Sequence, residues 1–364
     1  YVGAEKDVSD MCVESNKLID EFEIDASMRK DVYEAVKAVN ETINRSSLTA
    51  EQARYLDFTM VDFKRNGLHL DPETQAKLVS IKKDLSLFAV DFSKNVNEDS
   101  TSVLLTREEL DGLPDDYFEG REIKKTKRED GTEYDAYVIT MKYPDIVPAL
   151  SLCKVPATRK KLDFINGSRC KPNVEIFQKT LKLRDEAAKI LGYENHASFI
   201  LDRKMAKTVE NVTNFLSSLR EKLIPFAKEE LKVLLELKQK ELEENLVEKN
   251  ELNLLRKSET YNKIESYDYN YYNKLLLQSK YAVDDEKIKE YYSLETVTEG
   301  MLKIYEQVLS LKFVEIVKTD PKYDAWHQDV RIFQVFDQVS KESNFLGTFY
   351  LDLHPRDNKY SHAA

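Results

Sequence analysis

Glycine and proline are scarce, with nine of each in 364 residues. Sandwiches and barrels need both for their many tight turns, so the shortage points to a helix-rich chain, and 33% charged residues make it a water-facing one. Cysteine is rarer still. Cys12, Cys153 and Cys170 are odd in number, far apart and never spaced Cys-x-x-Cys. That argues against a disulfide framework and a cysteine zinc site, and suits the reduced thiols of a cytosolic protein. No run of about 18 apolar residues occurs, which argues against a transmembrane helix. No signal peptide is visible, although Tyr1 is not a natural start and a missing N-terminus would have room for one. Basic charge is also in deficit: 55 Lys and Arg against 66 Asp and Glu leave a net charge of −11. Binding to phosphate backbones needs a basic surface, so nucleic acid is not the expected partner. The main basic cluster, Lys124-Lys-Thr-Lys-Arg128, sits between acidic residues and reads as a solvated turn.

The signatures of several enzyme classes are missing too. Gly112, Gly120 and Gly131 are too scattered for a phosphate-binding loop. The Gly-x-Ser-x-Gly elbow of a serine hydrolase is absent. Zinc catalysis needs three protein ligands and an open position for water. Histidines four apart on a helix put two nitrogens on one face, with a glutamate between them to take the proton of that water. His-Glu-x-x-His occurs nowhere in the chain. His354 and His362 are eight apart across a turn containing Pro355 and cannot share a helix face. His196, in Asn195-His-Ala-Ser198, has no second ligand at helical spacing and reads as a cap or packing residue. Carboxylate pairs abound, but among 66 acidic residues pairing carries no information. Neither a catalytic nor a metal-binding constellation is expected in these residues.

What is present is helical periodicity. Residues 5–65 read as helices, with Val32, Ala35, Val36, Val39 and Ile43 on one face and Thr49-Ala-Glu-Gln52 as a capping box. Asp71-Pro72 opens the most regular helix, since Asp accepts the first free amide hydrogens and Pro at the first helical position loses no useful donor. Its stripe of Leu78, Ile81, Leu85, Phe88 and Phe92 is a core seam. A further helix ends at Leu191, with Gly192 as its left-handed stop. Thr208 opens a very long helical region whose stripe is Val212, Phe215, Leu219, Leu223 and Phe226, and Pro225 is expected to kink or divide it. From Leu231 to Lys257 the charge density predicts a solvent-facing surface. The tyrosine-rich stretch from Tyr261 to Tyr292 lies in acidic surroundings, which favours a half-buried amphipathic helix over a platform for stacking bases. The last helix carries Val297, Met301, Ile304, Val308 and Leu311. No repeat of 30–45 residues emerges, which argues against a solenoid.

Strand signals are confined to two places. Ser102-Val-Leu-Leu105 and Asp135–Met141, separated by a Thr106-x-x-Glu109 cap and by Gly112 and Pro114, predict a small hairpin inserted in the helical body. In the last forty residues, which hold the only tryptophan (Trp326) and His327, His354 and His362, the runs Asp329–Phe336 and Phe345–Leu353 flank a polar turn. They read as two antiparallel strands. His354–Asn358 is a second turn, and Lys359-Tyr-Ser-His-Ala-Ala364 begins another element. The expected fold class is mainly α, with small antiparallel β patches near 102–141 and 330–364.

Trp326-His-Gln-Asp-Val-Arg-Ile-Phe333 and Gly347-Thr-Phe-Tyr-Leu-Asp-Leu-His-Pro-Arg-Asp-Asn-Lys-Tyr-Ser-His-Ala-Ala364 resemble the segment before the zinc-binding helix in the thimet oligopeptidase, neurolysin and saccharolysin group of metallopeptidases. The resemblance continues through Arg65-Asn-Gly-Leu-His-Leu70, Leu85–Phe92 with Asn97-Glu-Asp99, Leu110-Asp-Gly-Leu-Pro114, Met205-Ala-Lys-Thr208 and Tyr291–Gly300. It covers essentially the whole chain. It implies the helical body of a two-domain, channel-type metallopeptidase. Residues 1–320 would form the channel-wall region, and 321–364 would start the catalytic region, ending before the zinc helix. It also implies an endo-oligopeptidase that acts on short peptides with one zinc ion when full length. Neither nucleic acid nor membrane is an implied partner, and the full-length protein is expected to be a monomer. The implied location is the cytoplasm, with the mitochondrial intermembrane space as the alternative. His-Glu-x-x-His would lie beyond residue 364, so this chain alone is expected to be inactive and to bind no zinc. Tyr360, Ser361, His362 and Ala363 are the expected substrate-binding residues: an edge strand can hydrogen-bond an extended peptide, and small side chains let its backbone approach. The competing reading of that segment is an inner strand paired on both sides. The competing reading of the whole chain is a non-catalytic helical scaffold that binds peptides or another protein. Exposed apolar surface on the C-terminal sheet is expected to promote association.

Overall fold

A computed structural model describes residues 6–127, 131–245, 249–281, 285–316, 323–339, 343–354 and 359. Helix dominates the element order. It begins α1 (Lys6–Ser27), α2 (Lys30–Thr42), α3 (Ala50–Arg65), α4 (Pro72–Asn97), β1 (Ser102–Leu105), β2 (Ile123–Lys127) and β3 (Glu133–Thr140). Then come α5 (Tyr143–Leu152), α6 (Pro156–Gly167), α7 (Asn173–Ile190), α8 (His196–Leu201), α9 (Val209–Glu244), α10 (Lys249–Lys257) and α11 (Ser266–Tyr281). The order closes with α12 (Asp285–Lys289), α13 (Leu294–Leu309), β4 (Leu311–Glu315), β5 (Arg331–Asp337) and β6 (Asn344–Leu351). The fold is mainly α with two small antiparallel sheets, as the periodicity predicts. Two compact units divide the chain: Lys6–Asp99 with Ser168–Lys228, and Ser100–Gly167 with Glu229–Ala364.

In the first unit the caps sit where the sequence puts them. The Thr49 hydroxyl accepts from the Gln52 amide at 3.2 Å, and the Gln52 side chain accepts from the Thr49 amide at 3.0 Å. Asp71 accepts from the Thr74 amide at 3.0 Å, and Pro72 opens α4. Tyr33, Met60 and Leu68 form a core with Val36, Leu56 and Phe63 around them. Gly67 (φ +85°) lets the chain turn over Leu78, whose Cδ1 would lie 2.4 Å from any Cβ added there. The buried side of α2 is turned from the expected one: Tyr33 is buried while Val32 and Val39 face water. The larger tyrosine ring removes more apolar area from solvent than either valine, and it decides the orientation. Helix α9 runs through Pro225 as a single helix, neither flank of the proline being buried. Its stripe Phe215, Leu219, Leu223 and Phe226 is exposed.

In the second unit, the order β1-β3-β2 builds a three-stranded antiparallel sheet, with Ser102 opposite Thr140 and Ile123 opposite Tyr137. The basic cluster is therefore an edge strand and not a turn. Lys124 and Lys127 stay solvated and pair with Glu122 and Glu133 at 3.4 and 3.3 Å; Arg128 lies outside the described residues. Charged side chains on an edge strand discourage pairing with other chains. Leu105, Leu110, Ile139, Ala149, Cys153 and Leu162 are the centre of the core. Gly112 (φ +97°) lies so close to Leu152 that a Cβ would meet its carbonyl oxygen at 2.5 Å. The second sheet, β4-β5-β6, starts earlier than expected. Ser310 takes a left-handed conformation (φ 54°) and stops α13, so Leu311 opens a strand instead of extending the helical stripe. The Phe313 amide donates to Glu306 of α13 at 2.9 Å, tying the strand to the helix it follows.

Candidate functional site

The four expected substrate-binding residues, Tyr360, Ser361, His362 and Ala363, lie outside the described residues. The structure does describe what leads to them. β5 is the central strand of its sheet, with Ile332 opposite Tyr350 and Phe333 opposite Phe349, and a bulge between Val335 and Phe336 shifts the register. Val330, Ile332 and Phe333 are buried, and the Phe333 and Phe349 rings stack at 5.2 Å. Across β4 and β5, Arg331 grips Glu315 with two hydrogen bonds of 2.8 and 2.7 Å. That bond raises the guanidinium pKa above its ordinary value.

Past β6 the chain is fastened by side chains. Trp326 lies against Tyr350 with ring centroids 5.2 Å apart, and its indole N–H donates to Asp352 Oδ2 at 2.9 Å. Lys359 Nζ lies 2.9 Å from the other oxygen of that carboxylate, and it donates to the backbone carbonyls of Asp352 (2.8 Å) and His354 (2.9 Å). Lys359 also forms a β bridge. His327 accepts the Asp329 amide at 3.2 Å, and His354 is exposed. None of these groups forms a nucleophile with a base.

A second polar constellation has no forerunner in the sequence reading. Arg159 of α6, Lys238 of α9 and Asp268 of α11 are buried together. Asp268 accepts from Arg159 at 3.0 Å and from Lys238 at 2.6 Å. Arg159 also donates to the Cys153 carbonyl at 2.8 Å and stacks 4.1 Å over the Tyr271 ring, while its Nε finds no acceptor among the described residues. One turn from Lys238, Glu241 accepts from the hydroxyls of Tyr271 (2.5 Å) and Tyr272 (2.7 Å). Burial, then the bond to Glu241, pushes both phenols far above their ordinary pKa, so they keep their protons. Lys238 falls in the stretch read as solvent-facing, whereas α11 is the half-buried helix expected, with Tyr271 and Tyr272 buried and Tyr269 exposed. The missed signal is Leu234-x-x-x-Lys238-x-x-Glu241, one face of one helix. The network ties α6, α9 and α11 together through buried, mutually paired charges.

Nearby, a groove of about 530 Å³ is lined by Glu236, Gln239, Lys240, Glu243, Glu244 and Tyr261. Glu243 pairs with Arg256 and Tyr261, and Glu244 with Lys240, so it is a solvated ion-pair surface. Among the described residues no group of three or more His, Cys, Asp and Glu side chains is placed to hold a metal ion. Burial pushes the Cys153 thiol above its ordinary pKa, as expected of an inert core cysteine.

Residues 149–364 match the model of peptidase family M3. Saccharolysin of Saccharomyces cerevisiae is 36% identical over 367 residues, covering 100% of this chain and 50% of its own length. Thimet-like oligopeptidase of Dictyostelium discoideum is 36% identical over 362 residues (98% of this chain, 51% of its own). Oligopeptidase A of Escherichia coli is 24% identical over 355 residues (94% and 48%). The chain thus spans about half the length of the curated relatives it matches.

Proposed function

The chain belongs to peptidase family M3, and on that premise we propose that it is the N-terminal portion of a zinc-dependent endo-oligopeptidase that hydrolyses short peptides in a deep channel. In this reading residues 1–320 form channel wall and 321–364 start the catalytic region. The family match across residues 149–364, unbroken through the C-terminal sheet, is the observation that carries it. The full-length protein acts as a cytoplasmic monomer. Zinc is the cofactor that the family implies, but the described residues do not fit it, because they bring no three ligands together. Its ligands and the catalytic base are assigned to other parts of the protein, and none of this chain's residues is given a chemical step. What this chain contributes is the substrate strand: the backbone of Tyr360–Ala363 pairs with an extended peptide whatever its side chains.

Two measurements test this. Full-length, zinc-loaded protein should cut short internally quenched peptides at internal bonds and leave the same sequence intact inside a folded protein. The 364 residues alone should cut neither and should show no stoichiometric zinc binding tighter than micromolar by calorimetry. Peptide binding without cleavage by the zinc-loaded protein would favour the scaffold reading instead. In the full-length protein, Ala363→Pro removes a backbone donor and should weaken peptide binding by ~1–3 kcal/mol with zinc content unchanged.

A further inference from the structure

Helix α13 carries two apolar rows and buries one position of contact between them. Thr298 and Leu302, one turn apart, are its buried residues. Val297, Met301, Ile304 and Val308 form a second row, which at about 100° of rotation per residue centres roughly 100° around the helix from the buried pair. This row is open to water, Ile304 and Val308 by 61% and 73%. Apolar residues at such spacing make the ridge that one helix offers to the groove of another.

Gly300 lies in the same face, three residues after Val297 and four before Ile304. Glycine inside a helix is destabilising relative to alanine, so its presence calls for a reason. Neither of the usual ones applies here: Gly300 is not left-handed, and a Cβ added to it would meet nothing within 4 Å among the described residues. What a mid-helix glycine also permits is the close approach of a second backbone. The open ridge and the unexplained glycine are separate observations on one face, and both point to a packed neighbour.

The size of the face bears on what that neighbour is. A helix of 16 residues is about 24 Å long, and a strip about 10 Å wide along it offers about 240 Å². A stable dimer buries about 800 Å² per partner, and two copies each carrying a charge of −11 repel one another. A second copy is therefore a poor permanent cover. A segment of the same polypeptide needs far less area, because its local concentration is already on the order of millimolar. The relatives supply the length: saccharolysin and the thimet-like oligopeptidase are about twice as long as this chain.

We propose that the open face of α13 is the docking site for an amphipathic helix from the part of the full-length protein outside these 364 residues, with its backbone crossing closest at Gly300. This rests on the reading of the chain as the N-terminal portion of a longer protein. The docked helix presents apolar side chains at three- and four-residue spacing to Val297, Met301, Ile304 and Val308, and a small residue opposite Gly300. It needs no charge on that face, since all the side chains it meets are uncharged.

Photo-crosslinking tests this in the full-length protein. Val308→p-benzoylphenylalanine should, on irradiation, form crosslinks at the mass of one copy that mass spectrometry maps to peptides beyond Ala364. Crosslinks at the mass of two copies, crosslinks confined to residues 1–364, or none at all would overturn the proposal; the same probe at Met301 serves if the first variant does not fold. The glycine gives an independent sign test. In the 364-residue chain, Gly300→Ala should raise the urea midpoint by roughly 0.3 M, as expected of an open helix position. In the full-length protein it should lower the midpoint, because the added methyl group enters the crossing. A rise in both would remove the close approach at Gly300. Neither readout depends on catalysis. Full-length protein that crosslinks as expected but cuts no peptide sinks the peptidase reading and leaves the docking face, whereas active protein without these crosslinks does the reverse.

Discussion

A single lysine in the first unit makes the clearest statement about pH. Lys82 sits on the flank of the α4 stripe, four residues after Leu78 and three before Leu85. Its ammonium donates to Asn66 Oδ1 at 2.7 Å and lies 3.6 Å from the Met28 sulfur, with no carboxylate pairing it among the described residues. Burial pushes its pKa down from 10.5 to about 8. Below pH 8 both folded and unfolded chains carry the proton, and folding bears the full cost of burying it. Between pH 8 and 10.5 the unfolded chain binds more protons than the folded one, so this contribution to stability rises with pH and the cost is gone above 10.5. Replacing Lys82 with methionine should therefore stabilise the chain at pH 7 by about 1–2 kcal/mol, less than full desolvation because the group is only partly buried. That gain should shrink as pH climbs through 8 toward 10. Urea titrations of both proteins at pH 7, 8.5 and 9.5 measure the difference, and a gain independent of pH would remove the assignment to Lys82. The sequence shows only that position 82 borders a core stripe. It is the closeness of Asn66 and Met28, neither of them charged, that turns a border position into a costly one.

At the scale of elements, sequence distance decides what could be foreseen. The Thr49–Gln52 box, the Asp71-Pro72 start and the Gly192 stop all lie within one helical turn, and all three stand as the sequence indicates. The network of α6, α9 and α11 depends on Asp268 meeting Lys238 from 30 residues away and Arg159 from 109, which no local pattern encodes. The stretch Leu231–Lys257 reads as a solvated surface for the same reason: the partner that neutralises Lys238 is distant in the chain. Ser310 hides the end of α13 because the apolar spacing runs on into Leu311, and only the left-handed backbone marks the break. The two kinds of feature should differ in energy as they differ in range. Thr49→Ala loses one exposed cap and should cost about 1 kcal/mol. Asp268→Ala strands two buried cations beside each other and should cost about 3–5 kcal/mol. Asp268→Asn keeps one of the two acceptors while losing the charge, and should fall between them. Equal costs for the first two in chemical denaturation would mean that water already screens the buried charges.

Over the whole molecule, two influences oppose each other. Apolar stripes with helical spacing normally mark buried faces, yet on α13 Val297, Met301, Ile304 and Val308 are exposed, the last two by 61% and 73%. Phe215, Leu219, Leu223 and Phe226 of α9 are likewise open, as are Phe345 and Leu346 on β6. Contiguous apolar surface of this kind favours association at about 25 cal/mol per Å² covered. Against it stands a net charge of −11, which makes copies of the chain repel one another. That repulsion reaches across about 10 Å at 0.1 M salt and about 3 Å at 1 M, whereas apolar contact is not weakened by salt. Adding salt therefore removes the opposing influence and leaves the favourable one. The 364-residue chain should sediment more slowly at 0.05 M sodium chloride than at 1 M, where its weight-average mass should exceed one copy at tens of micromolar. Met301→Lys together with Val308→Lys should cut that association at high salt while leaving the helix content unchanged, because both positions are exposed and lysine is a good helix former. A chain that stays a single copy at 1 M salt, or a double variant that associates as strongly as the parent, would show that the α13 stripe does not drive contact between copies.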